Sequence, residues 1–277
     1  MENILGIDIG GTSIVGGRIE DSSIIKQEKA GTLAQEGGET TLKVLKGIIS
    51  SLITKETTAI GVGVPSVVDR EKGIVYNVQN IKDWDEVHMK SILEKEFNLP
   101  VYVDNDANCF AYGEKIFGKG REFSNFVGIT LGTGVGGGII QDNHLLYDSN
   151  CGSGEFGELP YLDSILEDYC GSRFFIQKNG QTAYDIALKA AEGDANSQEI
   201  YSEYGRHISV LVKVILLILD PQAIIFGGSI AQSFKLFEKS MYDNLKDFPY
   251  PKSVEKIKIL TSNLTNIGIL GAGALCK

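Results

Sequence analysis

One pattern stated twice constrains this chain more than any other feature. Ile7-Asp8-Ile9-Gly10-Gly11-Thr12 and Ile129-Thr130-Leu131-Gly132-Thr133-Gly134 each read as a strand entering a glycine turn, 122 residues apart. A second strand-like run follows each turn, at residues 14–19 and at Val135 to Ile140, so each stretch predicts a hairpin. Two related α/β halves, each presenting a glycine hairpin to a shared cleft, account for the repeat. Any tight hairpin favours glycine, so the repeat speaks first to fold.

Between and after these hairpins, strands alternate with helices. Residues 40–54 place Leu42, Leu45, Ile49, Leu52 and Ile53 on one helical face. Ala59 to Val64 read as a buried strand ending at Pro65, Asp85 to Phe97 as a helix, and Val101 to Val103 as a strand. Residues 107–117 follow as a helix closed by Gly118, and the polar stretch Gly118-Lys119-Gly120-Arg121-Glu122 reads as the main domain crossover. Residues 181–192 and 195–219 are helical, the latter ended by Asp220-Pro221. Ala223 to Phe226 form a strand, after which Gly227-Gly228-Ser229 opens a helix. Lys256 to Leu260 form the last strand, and residues 267–276 a short helix of small residues. The class is α/β.

Composition narrows the functional classes. Hydrophobic residues make up 43% and charged residues 22%, enough for a sizeable core. The 33 glycines, about 12% against an average of roughly 7%, cluster in short loops flanked by apolar strands, which suits ligand sites built from backbone. A net charge of −10 argues against an indiscriminate nucleic-acid binder, since phosphates need a basic stripe. Cys109, Cys151, Cys170 and Cys276 show no metal-ligand or redox spacing. The start, Met1 to Asp8, has no basic n-region and enters a strand at once. The longest apolar run, Val210 to Leu219, falls short of the roughly 20 residues that span a bilayer. These features predict a cytoplasmic protein with no membrane or nucleic-acid partner.

The glycine turns suggest phosphate chemistry. Backbone N–H groups in such turns converge on anions without Cβ interference. Asp8, at the mouth of the first turn, would repel phosphate unless a hard cation lay between, which assigns it to Mg²⁺ through water. Thr12 has a hydroxyl to donate to a terminal phosphate, and Gly132-Thr133-Gly134 supply the same chemistry from the second turn. Two ordinary hairpin turns remain the alternative. Gly132, Gly134 and Gly137 also satisfy the dinucleotide fingerprint, but that motif must open a helix and Val135 to Ile140 read as a strand. Gly113 to Lys119 resembles a phosphate-binding loop, yet Gly120 replaces the required Ser/Thr and the stretch follows a helix.

Val103-Asp104-Asn105-Asp106-Ala107-Asn108 lies where a buried strand meets a helix, the place where ligands collect in α/β folds. Asp106, as first-turn residue or N-cap, suits a general base for a hydroxyl proton. That Asp104 or Asp106 merely caps the helix stays open on these residues alone.

Taken together, the motifs resemble those of the ROK sugar kinases and sugar-responsive repressors. The matching stretches are Asp8 to Thr12; Gly63-Val64-Pro65 with Asn80-Ile81-Lys82-Asp83-Trp84; Asn105 to Asn108 with Gly113-Glu114; Leu131 to Gly138; and Gly154-Glu155-Phe156-Gly157. Asp220-Pro221 leading to Gly227-Gly228 resembles the family's adenosine-side turn. The resemblance implies an actin-like, ribonuclease-H-like fold with an interdomain cleft. It places one domain at 1–117 with a C-terminal helix, about 265–277, packing back on it, and the other at 118–264. It implies ATP and Mg²⁺, Asp106 as catalytic base, and sugar contacts from Asn80, Asn105, Glu155 and Glu167. A homodimer is also implied.

Two departures stand out. Glu158 occupies the position where the family usually has histidine, and the zinc cysteines are missing from a shortened loop, Leu159 to Glu167. Together they imply a zinc-free variant and leave Glu158 facing the sugar as an acceptor. His88, His144 and His207 read as surface or structural residues. The resulting expectation is an ATP-dependent hexose kinase acting on the 6-hydroxyl of glucose or a relative. N-acetylmannosamine, mannose and fructose, and polyphosphate as donor, stay open. A repressor would need an N-terminal helix-turn-helix, for which a first strand at residue 4 leaves no room. A non-catalytic actin-like ATPase has no use for Asn105, Asp106 and Glu155.

Overall fold

The strand Asn3–Ile9 presents Leu5, Ile7 and Ile9 on one face and Ile4, Gly6 and Asp8 on the other, and its four apolar side chains are buried. Cover on both faces marks the middle of a sheet flanked by helices. The computed structural model describes residues 3–78 and 81–277. Contacts divide the chain into two units. One comprises Met1–Arg121, Leu145–Ser153 and Leu264–Lys277; the other comprises Glu122–His144 and Gly154–Asn263.

In the first unit five strands run in the order Ser23–Gly31, Ser13–Glu20, Asn3–Ile9, Thr57–Val64, Val101–Asn105. The first three form an antiparallel meander and the last two join in parallel. Helix Gly38–Leu52 covers one face through Leu45, Ile48, Ile49 and Leu52. The opposite face is different in kind. Gly17, Gly6 and Gly61 are lateral neighbours on three adjacent strands. They form a trough without side chains, and the C-terminal helix Ile267–Ala274 lies in it. A Cβ at Gly6 would stand 2.0 Å from Ile269 O, and one at Gly61 only 1.8 Å from Ala272 O. Glycine inside a strand is here the requirement of a close backbone approach.

The second unit repeats the connection pattern. Its sheet runs His144–Leu145, Val135–Gln141, Phe126–Leu131, Ala223–Gly227, Lys258–Thr261. The pairing is antiparallel between Phe126–Leu131 and Val135–Gln141 and parallel thereafter. Asp8 pairs with Gly63 in the first sheet and Thr130 with Gly227 in the second, so the duplicated motif occupies the same topological place in each. The 24-residue helix Ala195–Ile218 absorbs the apolar run seen in the sequence. No described helix is long and apolar enough to cross a membrane.

Several elements depart from the sequence expectations. Ser23–Gly31 is a strand whose polar, exposed composition hid it; charged edge strands of this kind resist further pairing. Glu86–Val87 is extended, so the expected helix from Asp85 starts only at Met89. It pairs with Ile74–Tyr76, which pairs with Val67–Asp69 in a small sheet the sequence did not announce. The shortened loop is a hairpin, Pro160–Tyr161 with Ser164–Ile165, leading into helices Leu166–Cys170 and Ser172–Asn179. After Gly228 a 3₁₀ turn, Ile230–Ser233, precedes helix Phe234–Leu245. Helix Pro251–Lys256 takes the start of the expected last strand, which begins at Lys258. Leu145–Ser153 lies between the expected bounds of the second domain yet packs with the first unit.

The glycine trough yields a paired stability prediction. Gly61→Ala drives a Cβ into backbone and is expected to lower unfolding free energy by about 3 kcal/mol. Gly47, with open space around its Cβ position in helix Gly38–Leu52, is expected to gain about 0.5–1 kcal/mol as Ala. Urea unfolding of both variants checks this, and an unchanged Gly61→Ala would refute the docking of the C-terminal helix.

Candidate functional site

Parallel strands in the first unit end together, and their last residues supply carboxylates. Asp8, Gly63 and Asp104 stand in one lateral row. This row lies two residues beyond the glycine trough on the same face, because side chains alternate along a strand. Helix Asp106–Phe117 starts immediately after it.

The cap of that helix is Asn105. Its Oδ1 accepts hydrogen bonds from Ala107 N at 2.8 Å and Asn108 N at 3.3 Å, while Nδ2 donates to Ser66 O at 3.1 Å. The open alternative that Asp104 or Asp106 serves as cap is thereby corrected: an asparagine takes that task, as cap preferences allow. Asp106 is the first helical residue and is exposed.

Asp104 is almost wholly buried, 2% exposed. Its Oδ1 accepts from Asn105 N at 2.7 Å and from Asn108 Nδ2 at 2.9 Å, and Oδ2 lies 3.6 Å from Arg70 Nη1. Burial raises its pKa from 3.8 to about 6, against the downward pull of Asn108 and Arg70. Arg70 Nη2 donates to Leu146 O at 2.6 Å and lies 3.8 Å from Asp148. Asp148 Oδ2 in turn accepts from Ser153 N and Oγ. This network ties the segment Leu145–Ser153 to the first unit, and the sequence reading missed it, since Arg70 belongs to no recognisable motif.

Asp8 is pressed against the C-terminal helix: a Cβ at Gly268 would stand 2.1 Å from its Oδ2. Burial raises its pKa, and no described residue hydrogen-bonds to its carboxylate. Cys109 packs beneath Gly63, and burial, then Asp104, Asp106 and Asp8, push its thiol well above the usual range. A thiol held that way is inert. Its neighbours show that three carboxylates gather at this end of the sheet.

Both glycine turns use their first N–H internally. Gly10 N donates to Ser13 O at 2.9 Å and Gly132 N to Gly134 O at 3.1 Å. Thr32 fastens the first turn, donating from Oγ1 to Gly10 O and from N to Thr12 O. The expected convergence of every glycine N–H on an anion is therefore narrowed: Gly11 and Thr12, and Thr133 and Gly134, keep N–H groups that meet no described protein acceptor. Thr12 and Thr133 are exposed.

In the second unit Glu167 reaches into its glycine turn. Oε2 accepts from Val135 N at 3.0 Å and would stand 2.3 Å from a Cβ at Gly134. Partial desolvation, then the charges of Glu158 and Glu167, raise the pKa of Glu155, so three glutamates share one neighbourhood. Gly228 takes a left-handed φ of 86° with its Cβ position 2.3 Å from Leu131 O. The Gly227-Gly228 turn thus lies beside the strand that feeds Gly132. Asn80 lies outside the described residues. His88 and His144 are exposed, whereas His207 is buried among aromatic rings. Among the described residues no group of three or more His, Cys, Asp or Glu side chains is arranged to hold a metal ion. Val135–Gln141 is a strand and Gly113 lies inside helix Asp106–Phe117, so neither rejected nucleotide motif has the context it needs.

The model of the ROK family matches residues 4–277. Glucokinase of Thermotoga maritima is 27% identical, over 99% of this chain and 97% of its own length. The xylose repressor of Bacillus subtilis is also 27% identical, over 98% of this chain and 76% of its own. A crystal structure of a ROK family glucokinase from Streptomyces griseus, in complex with glucose and AMPPNP, superposes with a TM-score of 0.82 at 25% identity, covering 99% of this chain and 98% of that one. The chain belongs to the ROK family. Its fold is the α/β, actin-like ATPase fold of that family's sugar kinases.

Asp104 gives this site a measurable pH signature. A carboxyl whose folded pKa exceeds its unfolded value favours folding at low pH, and that contribution is lost as pH rises through about 4 to 6. The span corresponds to about 3 kcal/mol. Asp104→Asn is expected to gain stability over the wild type by about 1–3 kcal/mol between pH 4 and pH 7.5. Denaturation series at both pH values test it, and parallel pH dependence would refute a carboxyl whose titration burial moves upward.

Proposed function

We propose that this protein is an ATP-dependent hexose kinase in which Asp106 is the general base. The observation that carries the reading is the exposed Asp106 at the first position of a helix whose cap is supplied by its neighbour Asn105, in a chain of the ROK family. With capping left to Asn105, the carboxylate of Asp106 accepts the proton of a sugar hydroxyl while that oxygen attacks the γ-phosphorus and ADP departs. Such a base contributes about 10²–10⁴ in rate, and positioning of the phosphates contributes much of the rest.

Thr12 and Thr133, with the N–H groups of Gly11 and Gly134 in the turns that Gly10 and Gly132 open, suit the phosphate chain of ATP, and Gly227-Gly228 suits its nucleoside side. Asp8 fits Mg²⁺: a partly buried carboxylate to which no described residue hydrogen-bonds is a hard oxygen donor for a hard cation. When bound, that ion supplies charge neutralisation for the transferring phosphoryl group. Asn105, with one amide hydrogen already on Ser66 O, keeps the other for a sugar hydroxyl, and Asn80 is its proposed partner. Glu155, Glu158 and Glu167 offer acceptors for further hydroxyls. Glucose, the sugar in the complex of the Streptomyces griseus glucokinase, is the proposed substrate and its 6-hydroxyl the proposed acceptor, with N-acetylmannosamine, mannose and fructose as the other hexoses to test.

The xylose repressor's match over 98% of the chain supports one second reading, a sugar-binding protein without turnover. An ADP-release assay across a hexose panel separates the two. Asp106→Asn is expected to lower kcat by about two orders of magnitude or more while hexose binding stays near wild type; near-normal turnover would refute the base. Metal analysis of purified protein is expected to show no stoichiometric zinc, and one zinc per chain would overturn the reading of the shortened loop.

A further inference from the structure

The hairpin that replaces the expected loop meets the long helix of the second unit through Tyr161. Tyr161, on its first strand, places its hydroxyl 3.0 Å from Nδ1 of His207, on the long helix Ala195–Ile218. Tyr169, on the helix that follows the hairpin, packs against both: its ring centroid lies 5.1 Å from that of Tyr161 and 5.0 Å from that of His207. Phe174 closes the cluster at 5.4 Å from the imidazole. His207 is 9% exposed, and its Nε2 has no hydrogen-bond partner among the described residues. The Glu203 carboxylate, 3.9 Å from Nε2, favours the proton on that nitrogen. In that tautomer the Tyr161 hydroxyl donates to Nδ1.

The residues on either side of this point are the glutamates. Glu155 and Glu158 belong to the turn just before the hairpin, and Glu167 to the short helix just after it. Leu166 N donates to Leu159 O across the base of the hairpin at 2.9 Å. Ser164 donates to Asp168 and Tyr169 to Asp163, so the hairpin and helix hold together as a piece. Tyr204 adds a hydrogen bond from its hydroxyl to Cys170 O at 2.7 Å. What sets the piece against the rest of the unit on the Tyr161 side is the imidazole.

We infer that His207 and Tyr161 form a clamp that positions Glu155, Glu158 and Glu167 for the sugar, making both of them specificity-determining positioning residues. The inference rests on the kinase reading for the identity of the ligand, and on the hydrogen bond and ring packing for the clamp itself. Removing the Tyr161 hydroxyl leaves the buried Nδ1 of His207 unpaired, removing the imidazole leaves the hydroxyl without its partner, and in either case the hairpin with its glutamates relaxes. The affected step is hexose binding, not phosphoryl transfer.

His207→Phe and Tyr161→Phe keep a ring in place and remove one partner each. Each is expected to raise KM for the hexose about tenfold with kcat and KM for ATP within about twofold. The double variant is expected to match the singles, about tenfold and not a hundredfold, because both remove one interaction. Hydrogen–deuterium exchange on the same proteins should show faster exchange at residues 159–169 with residues 126–131 unchanged. A hundredfold loss in the double variant, or equal losses for hexose and ATP, would overturn the clamp, as would unchanged exchange at 159–169. If the wild type turns over no hexose while the variants still exchange faster there, the kinase reading falls and the clamp stands.

Discussion

Backbone meets backbone where the C-terminal helix lies in the trough made by Gly17, Gly6 and Gly61, and the first unit is organised around that contact. At Gly6 and Gly61 no side chain lies between, and helix and sheet approach as closely as main-chain atoms allow, while Gly17 makes room for the Ile269 side chain. The consequence reaches the site. The next residues along the same strand face are Asp8 and Gly63, and the start of the same helix, at Gly268, presses on the Asp8 carboxyl. Helix Asp106–Phe117 packs alongside through Gly113, whose Cβ position lies 2.9 Å from Gly271 Cα. Three segments far apart in the chain are thus brought within a side chain's length by the absence of side chains.

The two units show how one topology carries different chemistry. At equivalent positions the first sheet ends its central strand with Asp8 and the second with Thr130. In the first unit the strand ends gather carboxylates around a buried thiol, and burial raises the pKa of Asp8 and of Asp104. Burial of charge on this scale is costly to a fold and is tolerated where bonds from Asn105, Asn108 and Arg70 offset part of it. In the second unit the corresponding turn offers N–H groups, and its carboxylate, Glu167, arrives from another helix to accept from Val135 N. The kinase reading proposes the carboxylates for sugar hydroxyls and the turn N–H groups for phosphate.

Legibility followed the length and polarity of each element. The long amphipathic helices and the apolar strands stood out because their periodicity extends over many residues. The edge strand Ser23–Gly31 did not, since its lysines and glutamate read as loop, and neither did the hairpins at residues 67–76 and 160–165, which are too short for a pattern to develop. At the site, Asp8, Asp106 and the glycine turns lay inside motifs and drew notice. Arg70 and Asp148 lay inside none, and Asn105 was noticed for a sugar while its capping bonds went unforeseen. The missing signal was partly available: Asn two residues before a buried alanine at a strand–helix junction is a good cap candidate.

The sequence by itself determined the local pieces of this protein: which segments are strands or helices, where glycine and proline interrupt them, and that one strand–turn–strand unit occurs twice. These are properties of residues within a few positions of one another, and neighbouring residues carry their own pattern. Only the tertiary structure decided that Gly6 and Gly61 face Ile269 and Ala272, that Arg70 lies beside Asp104, and that His207 meets Tyr161. Those partners are separated by tens to hundreds of residues, and a contact across such a distance leaves no mark on the spacing of either side.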